Sequence, residues 1–510
     1  MNPPPAQDEI IEFLLRPATY GIAGPVERVE THIAVVFLAG ERAYKLKRAV
    51  HLPYLDFSTP ELRREMCEAE LALNRRIAPE LYIAVTPVGR MPDGGLQLGA
   101  GEPVDWVVEM HRFDSDSLLV EVARRGELTP AMLRQLADRI ARFHRSAAIG
   151  HRDDGAAHLR EVIAGNRAAM MALPDALLPH PRCARLLSAS EEALDRLAPL
   201  LDRRASRGLV RHCHGDLHLA NICLWRGEPT PFDCLEFDAE LATTDVLYDV
   251  SFLLMDLCER GYGREACLLF NRWCDRMDEG DGLATLPLFL SLRAGIRAHV
   301  AASTAATMPE GPARAERQAQ ALDYLAAAEG FLAPQAARMV AIGGLSGTGK
   351  STLAGQLAPG IGRAPGARWL RSDVLRKLMA GVEPEQGLPP DAYSPENGRA
   401  VYARLAEQAR VVLATGHSLV VDAVFARPEE RAALEAVAVE ADIPFTGIWL
   451  EAPRALRADR VEARIMDASD ANAAVVGKQA LYDIGDLGSW HRLDASGTPD
   501  DVAARAMALL

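Results

Sequence analysis

Along the first part of the chain the apolar positions alternate with polar ones. Residues 31–50, THIAVVFLAGERAYKLKRAV, read as a strand, a glycine-containing turn and a second strand, which is a β-hairpin. The period then changes. Residues 60–77, PELRREMCEAELALNRRI, place Pro near a helix start and repeat apolar residues at helical spacing, and 104–110, VDWVVEM, returns to a strand. This pattern predicts an α+β region. From 129 to about 330 helical patterns dominate, as in TPAMLRQLADRIARFHRSA and EGPARAERQAQALDYLAAAEGFL, interrupted near 210–237 by short β-like runs. A boundary is expected at 333–338, where APQAAR carries a proline after a helix and precedes the apolar strand MVAIGG. Beyond it strands and helices alternate: MVAIGG, helix 349–358, RWLRSD, helix 396–415, SLVVDAV, helix 428–440, TGIWL, helix 453–464. Alternation of that kind predicts a parallel sheet. The pattern thus sets 338–510 apart from the residues before 333.

Length and composition narrow the class. At about 150 residues per domain, 510 residues exclude a single small module. An apolar fraction of 49% with 25% charged residues is that of a globular protein able to bury cores, not of a disordered or fibrous chain. Lys+Arg 56 against Asp+Glu 70 gives −14, which argues against a duplex-DNA binder relying on a broad basic surface. No run approaches the roughly 18 apolar residues of a membrane span, and the acidic, proline-bearing start MNPPPAQDEIIEFLL lacks the basic and apolar parts of a signal peptide. The eight cysteines show no Cys-x-x-Cys pair, an expectation of reduced thiols in the cytoplasm. Only five of the 56 basic residues are lysines, at 45, 47, 350, 377 and 478. Where nearly every cation is arginine, each lysine marks a place where a compact ammonium is needed instead of a planar fork.

Two segments carry chemistry. Gly344-Leu345-Ser346-Gly347-Thr348-Gly349-Lys350-Ser351 fits G-x-x-x-x-G-K-[ST] and lies between an apolar strand and a helix, the context the motif requires. Its glycines let backbone N–H groups of Gly344, Ser346, Gly347, Thr348 and Gly349 turn toward phosphate oxygens. The helix start through Thr352 adds its dipole, Lys350 reaches the β- and γ-phosphates, and Ser351 holds Mg²⁺. Downstream, Asp373 in RSDVLRK follows the second strand, at the sheet edge where open α/β folds bind ligands. It is either the acceptor of a substrate hydroxyl proton or the N-cap of the next helix. Arg376 either holds an anionic substrate or solvates a helix face. Asp422 ends a buried strand where P-loop enzymes keep an acid for Mg²⁺. Arg454, Arg457, Arg460 and Arg464 recur at helical spacing and either close over transferring phosphates or form a solvated face.

GGLSGTGKST, RSD-x-x-R, VVDAVF and the arginine-bearing segment together resemble the small P-loop kinases related to zeta toxins, gluconate kinase and the kinase domain of polynucleotide kinase. The resemblance covers nearly all of 338–510. It implies Asp373 as the substrate-hydroxyl base, Arg376 as a substrate or phosphate contact, and some of Arg457, Arg460 and Arg464 as lid residues.

The second segment is His214-Gly215-Asp216-Leu217-His218-Leu219-Ala220-Asn221, with Asp233 seventeen residues past Asp216. Such a trio suits phosphoryl transfer: Asp216 orients or deprotonates a hydroxyl while Asn221 and Asp233 hold Mg²⁺. A metal site built from His212, Cys213, His214 and His218 is the competing reading, with no second ligand cluster to complete it. His144 reads as a packed histidine, and Trp106, Trp225 and Trp273 as core. The segment resembles the aminoglycoside phosphotransferase and choline kinase group of the protein-kinase-like fold, and Tyr248-Asp249-Val250-Ser251 looks like that group's YDIA-type segment. The resemblance implies a strand lysine paired with phosphates and with a helical Glu. Lys47 or Lys45, and Glu70 or Glu65, stand in the corresponding region, with Lys47 and Glu70 preferred. It further implies that VVEM is a hinge where Glu109 and Met110 meet adenine through their backbone, which makes 1–110 a small lobe and 111–332 a large one, ahead of the P-loop unit at 338–510.

End to end, the chain resembles bacterial proteins described as bifunctional aminoglycoside phosphotransferase/ATP-binding proteins. That implies two ATP- and Mg²⁺-dependent units, each phosphorylating a hydroxyl of a small molecule, one on a bilobal kinase-like α+β fold and one on a P-loop α/β fold. Two alternatives stand beside it. One is a first unit that binds ATP only to regulate the second. The other is a polynucleotide 5′-hydroxyl kinase at the C-terminal end, disfavoured by the net charge and by the lack of an interleaved aromatic and basic stretch. The segment 383–395, VEPEQGLPPDAYS, is either part of an acceptor pocket or a linker.

Overall fold

The computed structural model describes residues 7–31, 33–52, 55–150, 154–463 and 468–510. They form two compact units, one from 1–161 with 198–256 and the other from 162–197 with 257–510.

In the first unit six antiparallel strands make one sheet, in the spatial order Glu27–Glu30, Ala34–Ala39, Arg42–Lys47, Glu102–His111, Tyr82–Arg90 and Leu96–Leu98. The expected hairpin is its centre. Because strand side chains alternate between faces, Tyr44 and Leu46 turn toward helix Gln7–Leu14, in a core with Val35, Phe37 and Leu14. Ala43 lies on the opposite face with Cys67 of helix Pro60–Asn74, and Lys45 and Lys47 share that face. The helix starts where its sequence says: the Thr59 side chain accepts from Leu62 N–H, Pro60 opens the first turn, and Arg63, Cys67, Glu70 and Asn74 form its buried stripe. Arg63 fixes the helix to the sheet through a two-pronged pair with Asp105, 2.8 Å on each arm. The short β-like runs near 210–237 are real, as two small antiparallel pairs, Val210–His212 with Thr243–Asp245 and Ile222–Trp225 with Glu228–Pro231. This is an α+β arrangement.

In the second unit five parallel strands are ordered Arg368–Arg371, Leu419–Asp422, Met339–Gly344, Phe445–Glu451 and His491–Asp494. Four answer to the apolar runs in the sequence. The fifth, HRLD, is an edge strand with mostly exposed residues, so its sequence carries no apolar run to reveal it. Helix Lys350–Leu357 springs from the central strand, which puts the glycine-rich turn at the carboxyl edge of the sheet. Helix Gly263–Met277 belongs to this unit although it precedes the boundary at 333–338. Its Cys267 lies in the same core as Val340, Ile342 and Val420, and its Asn271 and Asp275 hold the buried Arg368 at the end of the sheet.

Candidate functional sites

The loop after strand Val210–His212 is held by buried carboxylates, Asp256 accepting the Leu219 N–H at 3.0 Å and Asp249 holding its start. Asp249, fully buried, accepts the N–H groups of Gly215 at 2.8 Å and His214 at 3.3 Å, and the imidazole Nε2 of His144 at 3.0 Å. His144 thus serves as a packed, hydrogen-bonded residue, as its sequence context suggests. Above this support Asn221 Nδ2 donates to Asp216 Oδ2 at 2.8 Å and to the Asp216 carbonyl at 3.0 Å. The Phe232 N–H donates to the Asn221 carbonyl, which brings Asp233 beside the same loop. Asp233 sits at φ +62°, a left-handed backbone that non-glycine residues rarely adopt. The side chains of Asp216 and Asp233 are each 41% exposed. Asp216, Asn221 and Asp233, spread over eighteen positions, are therefore gathered at one place with open carboxylates.

On the facing sheet, Lys45 Nζ lies 2.5 Å from Asp233 Oδ1 and 2.9 Å from Glu70 Oε1. Lys47 Nζ is 2.7 Å from the other oxygen, Glu70 Oε2, and pairs with Glu236. Burial alone would raise the Glu70 carboxyl; the Lys45 ammonium, then that of Lys47, overcomes it and lowers the group to about 2. Glu236, more weakly compensated, is pushed up by its burial. Glu70 is buried against both lysines, whereas Glu65 is exposed on the outer face of the helix. Lys47, the lysine preferred from the sequence, and Lys45 are placed differently. Lys47 is enclosed by two carboxylates and the Phe57 ring, whereas Lys45 is the lysine that reaches Asp233. The alternating strand puts both on one face, and only the 188 residues of chain folding between Lys45 and Asp233 distinguish them.

Glu109 and Met110 are internal to the sheet. Both lie within strand Glu102–His111 and are paired on either side, Glu109 with Tyr44 and Ala84, Met110 with Ala43 and Tyr82. The register against strand Tyr82–Arg90 shifts at this point, between Tyr82 and Ala84, and Arg112 N–H is given to the Glu41 carbonyl. The chain leaves the sheet at Phe113, whose ring packs on Phe232 beside Asp233. Among the described residues, the cluster with ligand geometry is His144, Cys213 and Asp249, rather than the histidines of HCHGDLH. Its Asp249 already accepts three hydrogen bonds.

The glycine-rich turn of the second unit is shaped as its motif demands. Gly344, Gly347 and Gly349 have φ of +140°, +84° and +94°. A Cβ on Gly347 would stand 2.3 Å from the Arg457 carbonyl oxygen, so helix Arg454–Glu462 lies directly against the turn. Gly347→Ala is expected to lower nucleotide affinity by more than about tenfold with a smaller change in melting temperature, because backbone on both sides of the contact must move; equilibrium nucleotide binding and a thermal melt check it. Thr348 Oγ1 and Lys350 Nζ both donate to the Leu345 carbonyl, at 2.8 and 3.3 Å. The Ser346 N–H is taken by Gln479 Oε1 at 2.7 Å, a partner that no motif announced.

Asp422 stands beside Ser351 and 3.8 Å from Arg371 Nε; its carboxyl is raised by burial and drawn back by Arg371, then Lys350. Asp422 Oδ2 is buried without a hydrogen-bond partner, and so is Arg457 NH1. A hard oxygen acceptor beside a serine hydroxyl, and an orphaned guanidinium N–H beside a phosphate-type turn, fit Mg²⁺ and a polyphosphate respectively. In the other site the oxygen donors of Asn221 and Asp233 are likewise those Mg²⁺ prefers.

Asp373 stands in the first turn of helix Ser372–Met379, while Arg371 is at the N-cap, so Asp373 does not cap it. Arg376 lies 4.9 Å from the Tyr393 ring centroid and donates to the Ala392 carbonyl at 2.9 Å. Segment 383–395 is therefore packed on the helix that carries Asp373. It is also tied down by Asp470, which accepts from Lys377, Leu388 N–H and Tyr393 hydroxyl, and by Arg272 and Arg276 pairing with Glu385 and Glu383. Arg460 NH1 comes within 3.9 Å of a Cβ built on Gly349; Thr352 is exposed. Arg464 lies outside the described residues. Asp470, Glu236 and Gln479 escaped sequence reasoning. Lys377, one of the five lysines and fully buried, was the one signal for the first of them.

An uncharacterized protein of Mycobacterium tuberculosis, Rv2004c, is 30% identical over 479 residues, covering 92% of each chain. The present chain belongs to its family. An uncharacterized protein of Mycobacterium bovis, Mb2027c, matches to the same extent. The family model described as AAA domain matches residues 339–481, the stretch that holds the glycine-rich turn and Gln479. Among solved structures, the chain is similar to a choline/ethanolamine kinase family protein from Mesorhizobium loti, at 14% identity over 63% of this chain and 98% of that one, TM-score 0.36. It is also similar to a gluconokinase from Sinorhizobium meliloti, at 19% identity over 34% and 90%, TM-score 0.25.

Proposed function

We propose that this member of the family is a bifunctional ATP-dependent phosphotransferase whose two units each move the γ-phosphoryl group of ATP to a hydroxyl of a small molecule: a sugar, polyol, nucleoside or aminoglycoside-like compound. The observation that carries this reading is that each unit gathers a complete set of phosphoryl-transfer groups from distant parts of the chain. In the first, Lys45 takes the nucleotide phosphates, Glu70 holds Lys45, Asn221 and Asp233 hold the metal, and Asp216 receives the acceptor proton. The chain leaving the sheet at Phe113, in place of Glu109 and Met110, meets adenine. In the second, the turn from Gly344 to Thr352 cradles the phosphates, Lys350, Arg457 and Arg460 offset their charge, Ser351 and Asp422 hold the metal, and Asp373 and Arg376 serve the acceptor. Mg·ATP supplies the phosphoryl group and a neutralising dication; positioning and charge stabilisation are left to the protein.

No helix among the described residues is long and apolar enough to cross a membrane. All eight cysteines are free, in keeping with work in the cytoplasm. The functional division we propose remains 1–110, 111–332 and 338–510, although helix Gly263–Met277 packs with the last of these.

A screen of hydroxylated metabolites and aminoglycosides for ATP consumption, with mass spectrometry of products, tests the reading when run on the full chain and on Asp216→Ala and Lys350→Ala. Two separable activities, each lost in one variant, are expected. Activity unchanged in both variants would overturn it.

A further inference from the structure

The first site uses one of two lysines on the same strand face, and the second has no part in the chemistry so far described. Lys47 is 1% exposed, its Nζ lies 2.7 Å from Glu70 Oε2 and 5.2 Å from the Phe57 ring centroid, and it pairs with Glu236. Lys45 occupies the other oxygen of the same carboxylate at 2.9 Å and also binds Asp233 at 2.5 Å. Two ammoniums and three carboxylates therefore form one connected network around Glu70, which is fully buried.

Such a network constrains how Lys45 can work. To take a phosphate oxygen, it must loosen its hold on Asp233, on Glu70, or on both. A buried carboxylate that loses its only cation is strongly destabilised, and that penalty would oppose nucleotide binding. Glu70 does not meet it, because a second cation sits on its other oxygen. Lys47 cannot itself be the exchangeable group. It is more enclosed than Lys45, whose side chain is 12% exposed, and it would have to break two ion pairs and leave an aromatic face.

Resting on the reading that this unit binds ATP through Lys45, we propose that Lys47, anchored by Glu236, is a resident counter-ion for Glu70. As a positioning residue it holds that carboxylate in place and leaves Lys45 exchangeable between Asp233 and the phosphates of the nucleotide. Glu236 gains a role by the same argument: it fixes Lys47 so that the cation does not follow the phosphates.

The test uses the full chain carrying Lys350→Ala, which weakens phosphate binding at the other site, and compares affinities for Mg·ATP and for adenosine by titration calorimetry. Lys47→Met combined with Glu236→Gln removes the cation together with its second partner, so no new unpaired charge is buried at position 236. The expected result is adenosine affinity unchanged and Mg·ATP affinity lower by about tenfold. Lys47→Arg, which keeps a cation on Glu70, is expected to recover most of that loss. Mg·ATP affinity unchanged in the double variant overturns the proposal; so does an equal fall for adenosine and Mg·ATP, which marks a merely structural role. Lys45→Met separates the two levels. If it lowers the Mg·ATP to adenosine ratio while the double variant does not, the counter-ion role alone falls. If it leaves the ratio unchanged, the assignment of Lys45 falls, and the counter-ion role with it.

Discussion

Asp216→Asn is expected to lower kcat for phosphoryl transfer in the first unit by about 10²- to 10⁴-fold, the range of a positioned proton acceptor, while the affinity for Mg·ATP changes little. The substitution keeps the shape of the side chain and removes its charge. Asp216 is not the residue that pairs with Lys45; that contact belongs to Asp233, on a separate strand exit. Its Oδ2 accepts from Asn221 at 2.8 Å and lies 3.4 Å from His218 Nε2, and its side chain is 41% exposed, within reach of an incoming hydroxyl. Loss of the carboxylate should therefore be felt where the acceptor proton goes and not where the nucleotide is gripped. Steady-state kinetics on an acceptor identified by the screen, with Lys350→Ala present so that only one unit turns over, separates the two. A rise in KM for ATP with kcat unchanged would remove Asp216 from the catalytic role.

Asp275→Ala should cost about 3–5 kcal/mol of stability in the second unit, a large share of the roughly 5–15 kcal/mol that holds a typical domain folded. The reason lies in Arg368, 3% exposed at the start of an edge strand. Its guanidinium pairs with Asp275 and donates to Asn271 Oδ1 at 3.1 Å and to the Trp369 carbonyl at 3.0 Å. Removing the carboxylate leaves a buried cation with neutral partners only, which is worse than removing both charges. Asn271→Ala, which deletes neutral hydrogen bonds and leaves the ion pair, is expected to cost less, about 1–3 kcal/mol. Denaturant unfolding of the full chain, following the transition of this unit, ranks the two variants. Equal effects, or none from Asp275→Ala, would mean that Arg368 finds water or another partner. The same contact bears on any attempt to isolate 338–510, which would remove Cys267 from the core and strand Arg368 without its carboxylate.

How much was readable in advance depends on the distance over which a feature is determined. The glycine-rich turn was legible because its geometry is local: three glycines at positive φ, a lysine and a serine act within eight residues. Helix Pro60–Asn74 was legible for the same reason, through Thr59, Pro60 and a stripe ending on Glu70 and Asn74. The edge strand His491–Asp494 was not, since an exposed edge needs no apolar run. The pairing of Glu109 and Met110 on both sides was not legible either, because a strand sequence does not say which strands will neighbour it.

What the chain determined by itself, then, is an inventory: two sets of phosphate-handling residues, each in a local backbone suited to it, and two lysines that the alternation of a strand must place on one face. What folding decided is the pairing among them. Lys45 meets Asp233 and Lys47 meets Glu236 across 188 and 189 intervening steps, Gln479 reaches Ser346 across 133, and helix Gly263–Met277 joins the sheet beyond its own sequence neighbourhood. Charge pairs and apolar contacts act through space and fall off over a few ångströms, so their partners are chosen by where the backbone returns, which short-range spacing cannot encode.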